Sequence, residues 1–134
     1  MSHIAKVDLE VRVSQLDCLE KAAKHLGVEL VRDQKTFKHF AGRTSSCTHA
    51  IRVPGNNKAY EVGVILSGTG QTYSLQWDQW ASGFGMVDKV GKDAMKLKQE
   101  YAVQVAMKHA RAQGYQVSRQ TKQDGSVVLK AVHS

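Results

Sequence analysis

Apolar and polar residues alternate at the start of the chain. Val7, Leu9, Val11 and Val13 are separated by Asp8, Glu10 and Arg12, which predicts a strand with one buried face. Ser14 follows, with Asp17 three residues on, a variant of the capping box that opens a helix. Leu16, Leu19, Ala22, Ala23 and Leu26 recur at helical spacing, and Gly27 is the natural residue just past its end. Val28–Val31 begins a second strand whose pattern runs on toward Phe40. The small, polar stretch 41–46 reads as a loop, and Cys47–Val53 as a third strand. Pro54-Gly55-Asn56-Asn57 is a turn signal.

Tyr60, Val62, Val64 and Leu66 then alternate with Glu61, Gly63 and Ile65, giving a fourth strand. Gly68-Thr69-Gly70 turns the chain, and Tyr73, Leu75 and Trp77 mark a fifth. Ala81–Gly91 holds three glycines and no clear period, so it reads as a connecting loop. A long helix is predicted over 92–113, with Leu97, Tyr101 and Val105 on its apolar side, ended by Gly114. Residues 115–121 and 126–132 flank Asp124-Gly125, a strong hairpin signal. The order β-α-β-β-β-β-α-β-β predicts a single α+β domain over residues 1–134. Its sheet is predominantly antiparallel, with two α-helices packed on one face. The far face is expected to be partly open. Tyr60, Val62, Val64, Leu66, Tyr73, Leu75, Trp77, Leu97, Tyr101 and Val105 are expected to be buried.

Composition changes this picture little. Of the 134 residues 42% are hydrophobic, enough for a core without staples. No apolar run approaches the ~18 residues that cross a bilayer. Lys6, Asp8, Glu10 and Arg12 interrupt any signal-like stretch, so a cytoplasmic protein is expected. The two cysteines, Cys18 and Cys47, are expected to stay reduced. The net charge of +7 raises the prospect of an anionic partner.

Candidate chemistry is sparse. His39, Cys47 and His49 share one stretch but lack the paired spacing of a zinc site. A histidine at position three, His3, suits copper chelation by a free amino terminus, an arrangement that trimming of Met1 would spoil. No nucleophile elbow and no phosphate-binding glycine fingerprint occur. No cofactor, metal or catalytic residue is expected. Asp78 stands between two tryptophans, where an acid either has a raised pKa or bonds backbone amides.

Two surfaces remain. Trp80 breaks the inward parity of Tyr73, Leu75 and Trp77, and Phe84 and Met86 follow in a glycine-rich loop. Exposed aromatic residues on adaptable loops are favoured interface anchors, so Trp80, Phe84 and Met86 form a candidate protein-binding surface. Arg32, Lys35, Lys38 and Arg43 interleave with Phe37 and Phe40, a composition suited to sequence-independent nucleic-acid contact.

The start Met1-Ser2-His3-Ile4 and the strand Tyr60-Glu61-Val62-Gly63-Val64 carry a family resemblance. So do Tyr73-Ser74-Leu75, Trp77-Asp78-Gln79-Trp80, Gln99-Glu100-Tyr101-Ala102-Val103, Gln113-Gly114-Tyr115-Gln116-Val117 and Asp124-Gly125-Ser126. In these the chain resembles the domain-of-unknown-function family numbered 1257. Its plastid members are called hypothetical chloroplast reading frame 35, and others occur in cyanobacteria, other bacteria and bacteriophages. The resemblance spans most of the chain and is weakest over residues 30–58. It implies no reaction and no catalytic residue. It does imply gene neighbours that include a ferredoxin and an ATPase of the AAA type, hence an accessory or adaptor role in a bacterial or infected-cell cytosol. The expectation is a non-enzymatic accessory protein that binds another protein, with nucleic-acid binding as the alternative.

Overall fold

The computed structural model describes residues 4–133, so His3 and the copper arrangement considered for it lie outside the described residues. The fold is α+β. Strand β1 (Ile4–Arg12) leads through a short 3-10 turn into helix α1 (Leu16–His25). Strands β2 (Glu29–Val31), β5 (His49–Arg52), β6 (Val62–Leu66) and β7 (Thr72–Asp78) join β1 in an antiparallel five-stranded sheet of order β1-β7-β6-β5-β2. Strands β3 (Thr36–Lys38) and β4 (Thr44–Ser46) form a separate hairpin between β2 and β5. After β7 come the short helix α2 (Met86–Val90) and the long helix α3 (Met95–Ala112). Strands β8 (Tyr115–Thr121) and β9 (Val127–His133) form a second independent hairpin.

Cross-strand pairing explains why one face of the sheet is apolar. Leu30 pairs with Ile51 and Ile51 with Val62; Val64 pairs with Leu75 and Leu75 with Val7. All of these are buried against Leu16, Leu19, Ala22 and Ala23 of α1 and Leu97 and Tyr101 of α3. Burying each such aliphatic side chain is worth about 1.5–3 kcal/mol. Helix α1 ends as its glycine predicts. Gly27 adopts φ +80°, its N–H meets the Lys24 carbonyl, and the Val28 N–H meets that of Ala23.

The opposite face is partly covered. The Phe37 ring of β3 is fully buried over Gly63, where an added Cβ would lie 2.3 Å from Phe37 Cδ1. The second strand therefore stops at Val31 instead of continuing toward Phe40. The expected loop 41–46 contains β4, and the third strand starts at His49, two residues after Cys47.

Other boundaries also differ. Ser14 makes no side-chain cap; its carbonyl instead accepts the Lys108 ammonium at 3.0 Å, which also pairs with Asp17. Tyr60 is buried but lies ahead of β6, while Leu66 at the far end of β6 is 41% exposed and Val105 only half-buried. The segment 81–91 is an ordered left-handed turn and a helix, not a plain loop.

The β8–β9 hairpin docks on α3 through a polar knot at Glu100, and Gln99 Nε2 donates to the Gly125 carbonyl of its turn at 3.0 Å. The buried Glu100 carboxylate accepts two hydrogen bonds from Arg119, at 2.7 and 2.9 Å, and one from Gln104 Nε2 at 2.9 Å. His25 Nε2 stands 3.5 Å away. Burial pushes the Glu100 carboxyl up. Arg119, Gln104 and His25 together outweigh that and hold it below its ordinary value.

Candidate functional site

The end of β7 organises the surface that the broken parity of Trp80 singles out. Asp78 is the last residue of the strand and is buried. Its Oδ1 accepts the Trp80 N–H at 2.9 Å, a local Asx-type turn. Its Oδ2 accepts the Phe40 N–H at 3.3 Å. Of the two roles open to this acid from the sequence, the structure shows the bonding of backbone amides, and those bonds join two segments distant in the chain.

Beyond Trp80 the backbone turns left-handed. Ala81, Ser82, Gly83 and Phe84 have φ between 51° and 59°. Three of the four carry a Cβ, and this conformation costs an L-residue roughly 1–2 kcal/mol. Surrounding hydrogen bonds hold it. The Tyr60 N–H donates to the Gly83 carbonyl at 2.8 Å, Asn56 Nδ2 to the Phe84 carbonyl at 3.2 Å, and the Ser82 N–H to the Gln79 carbonyl at 3.1 Å. Gly83 is buried between Tyr60 and Met86, where a Cβ would come 3.3 Å from Met86 Cβ.

Four aromatic rings assemble on this turn. Phe40 and Trp80 meet edge to face with centroids 5.0 Å apart and planes at 89°. Trp80 and Phe84 lie 5.9 Å apart at 54°, and Phe84 and Tyr60 5.1 Å apart at 61°. Tyr60 is buried, which raises its hydroxyl pKa, as does the nearby Asp78 charge; a hydrogen bond with the Ala41 backbone opposes this. Trp80 is 47% and Phe84 45% exposed.

Of the residues assigned to a protein-binding surface, Trp80 and Phe84 are at the surface and Met86 is not. Met86 is 1% exposed, because the left-handed turn reverses the chain and starts α2 with Met86 and Val90 pointing into the core. The basic group also divides. Arg32 is bound to Glu20 at 3.2 Å and Lys35 to Asp33 at 3.6 Å. The Lys38 ammonium donates to the Asn57 carbonyl, and Arg43 follows directly on the Phe40–Gly42 turn. Phe37, which interleaves with these cations in sequence, is core. The two surfaces read separately from the sequence thus meet at the Phe40–Trp80 contact. Phe40 belongs to the basic surface read from the sequence, whereas Tyr60 and Asn56 were not assigned to either surface; the Asp78-x-Trp80 turn was the available signal for part of the arrangement.

The histidines and Cys47 each have other partners. His39 Nε2 bonds Ser45 Oγ at 2.9 Å, and the Cys47 thiol donates to the Gln34 carbonyl at 3.1 Å. His49 Nδ1 accepts the Asp33 N–H at 2.9 Å, and its Nε2 faces the Tyr73 hydroxyl at 3.3 Å. Burial lowers the His49 pKa and raises those of both cysteine thiols. Among the described residues, no three His, Cys, Asp or Glu side chains come together as a metal set. No helix among them is long and apolar enough to cross a membrane.

Fold and surface together define an α+β protein that displays an ordered aromatic patch on a strained turn. A single family model spans the patch and most of the fold. The family described as protein of unknown function (DUF1257) matches residues 22–129, from within α1 into β9, and the chain belongs to it. No curated protein and no solved structure matches the chain.

Proposed function

We propose that this protein is a non-enzymatic accessory factor that works by binding another protein through the Phe40–Trp80–Phe84 patch. The observation that carries this reading is the left-handed turn, which keeps two large aromatic side chains half-exposed on a backbone fixed by hydrogen bonds. Strain of this kind persists only where the surroundings over-determine it, and it clusters at functional sites. A fixed aromatic anchor loses little entropy on binding, the property that makes Trp a frequent hot spot. The two free thiols, Cys18 and Cys47, support a reducing, cytosolic setting for this work.

Nucleic-acid binding is the second reading, favoured by Lys38 and Arg43 beside Phe40. The ring geometry counts against it. A herringbone of rings at 54–89° offers edges and faces in turn, whereas successive bases need accessible, roughly parallel faces.

Capture from native extract, compared between the wild type and Trp80→Ala with and without nuclease, tests both. The first reading expects a nuclease-resistant partner that the wild type retains and the equally folded variant loses. Recovery that nuclease abolishes, or that Trp80→Ala leaves intact, would refute it.

A further inference from the structure

The geometry points to an acidic peptide segment as the ligand of the patch: a short stretch that sets an aromatic or branched aliphatic side chain on Trp80 and Phe84 and its carboxylates against Lys38, Arg43 and Lys58. This rests on the protein-binding reading above and names its partner's chemistry. The positions of the three cations follow from the backbone. Lys38 reaches the Asn57 carbonyl, and Asn56 is tied to Phe84 and to the N–H of Lys58. Arg43 closes the turn of Phe40 through its N–H bond to the Phe40 carbonyl at 3.1 Å.

All three residues are therefore placed by their backbones on the Phe40–Asn57 side of the rings, and Arg43 and Lys58 are exposed. Among the described residues none of the three forms an ion pair, so their charges are not neutralised by a neighbouring carboxylate within the chain. Glu61, the acid nearest in sequence to Lys58, directs its carboxylate to the Lys38 N–H at 2.8 Å and to Gln34. On the other flank Asp93 is bonded to the Gln79 side chain. The patch is thus apolar at its centre and cationic along one side. An apolar anchor flanked by carboxylates complements both, the anchor giving affinity and the charges giving orientation and on-rate.

Selection of random 12-residue displayed peptides on the full chain tests this. Selected sequences are then synthesised and titrated against the wild type, Trp80→Ala and Arg43→Glu/Lys58→Glu. The expected winners carry Asp or Glu next to Phe, Trp, Leu or Ile. Their affinity should fall about tenfold or more in the charge variant, weaken with salt, and vanish in Trp80→Ala. Winners without acidic enrichment, or binding indifferent to the charge variant yet lost in Trp80→Ala, would overturn the acidic ligand while leaving the aromatic site standing. Binding indifferent to both variants, or no selected peptide at all, would overturn the two together. An oligouridine 12-mer bound more tightly than any peptide and lost in both variants would assign the patch to single-stranded nucleic acid instead.

Discussion

The ring of Phe37 fills the space that a side chain at Gly63 would need: a Cβ there would sit 2.3 Å from Cδ1 and 2.5 Å from Cε1. The absent side chain in the middle of β6 is what lets the β3–β4 hairpin lie on the sheet. Gly63→Ala should therefore displace the hairpin and cost about 1–3 kcal/mol, the range for overpacking a filled core. Phe37→Ala alone should cost about 3–5 kcal/mol. Alanine at both positions should lose less than the sum, because the clash is gone. Urea denaturation of the four proteins checks all three statements.

Trp80→Ala and Met86→Ala should separate sharply. Trp80 is half in solvent and Met86 fully inside. We expect the first to cost under about 1.5 kcal/mol and the second about 2–5 kcal/mol. Equal and large losses would mean that Trp80 belongs to the core.

Ala81→Gly tests the strained turn. Glycine relieves the penalty of φ 51° but loosens the unfolded chain by about 0.4–1 kcal/mol. The net change should be neutral or a slight stabilisation, opposite in sign to the usual effect of an Ala→Gly change. Gly91→Ala should do the reverse, since φ is +86° and its Cβ would lie 3.0 Å from the Lys96 nitrogen. Thermal midpoints of the two variants give the signs.

Stability should fall with pH in two stages, each with an identifiable group. His49 is held neutral, with its folded pKa below the ordinary value near 6.5. Its contribution is complete above that pH and declines below it, because protonation would aim a second N–H at the Asp33 N–H. Glu100 is also depressed, so its contribution is complete above about pH 4.5 and is lost as the pH falls further. His49→Gln should flatten the upper stage only and Glu100→Gln the lower only. Urea midpoints from pH 7.5 to 3 resolve them.

Arg119→Met should cost about 3 kcal/mol at neutral pH, because it strands the buried Glu100 carboxylate. Adding Glu100→Gln to it should recover part of the loss. Hydrogen exchange should show the effect concentrated in the β8–β9 hairpin, which meets the rest of the molecule mainly through α3.

Elements with a strict period were legible in the sequence. The alternations of β1, β6 and β7, the apolar stripe of α1 and the Asp124-Gly125 turn were all found near their places. Burial failed where an element runs past the core, as at Leu66, whose parity is correct but whose strand end has nothing above it. The β3–β4 hairpin has three residues a side, too short for a period, and its position depends on a glycine in a strand far along the chain. The aromatic site was half visible. Trp80 announced itself by breaking parity. The left-handed run at Ala81, Ser82 and Phe84 could not be read, since bonds from the distant Tyr60 and Asn56 help to hold residues with a Cβ in that region. The same turn sends Met86 inward, and the pairing of Phe40 with Trp80 is made by a carboxylate, Asp78, that local pattern does not connect to residue 40.

The strand order also sets a schedule. The first strand made, β1, is an edge strand whose one neighbour is β7, and β7 is synthesised only after every other strand of that sheet. At about 5–20 residues per second, β1 waits for its partner on the order of seconds. Meanwhile the emerging chain exposes Val7 and Val11, and the meander β5-β6-β7 is the unit able to form from near neighbours. The sheet is complete only with β1 paired to β7, and the turn carrying Trp80 and Phe84 follows β7 directly in the chain. The aromatic patch thus hangs from the strand that completes the sheet.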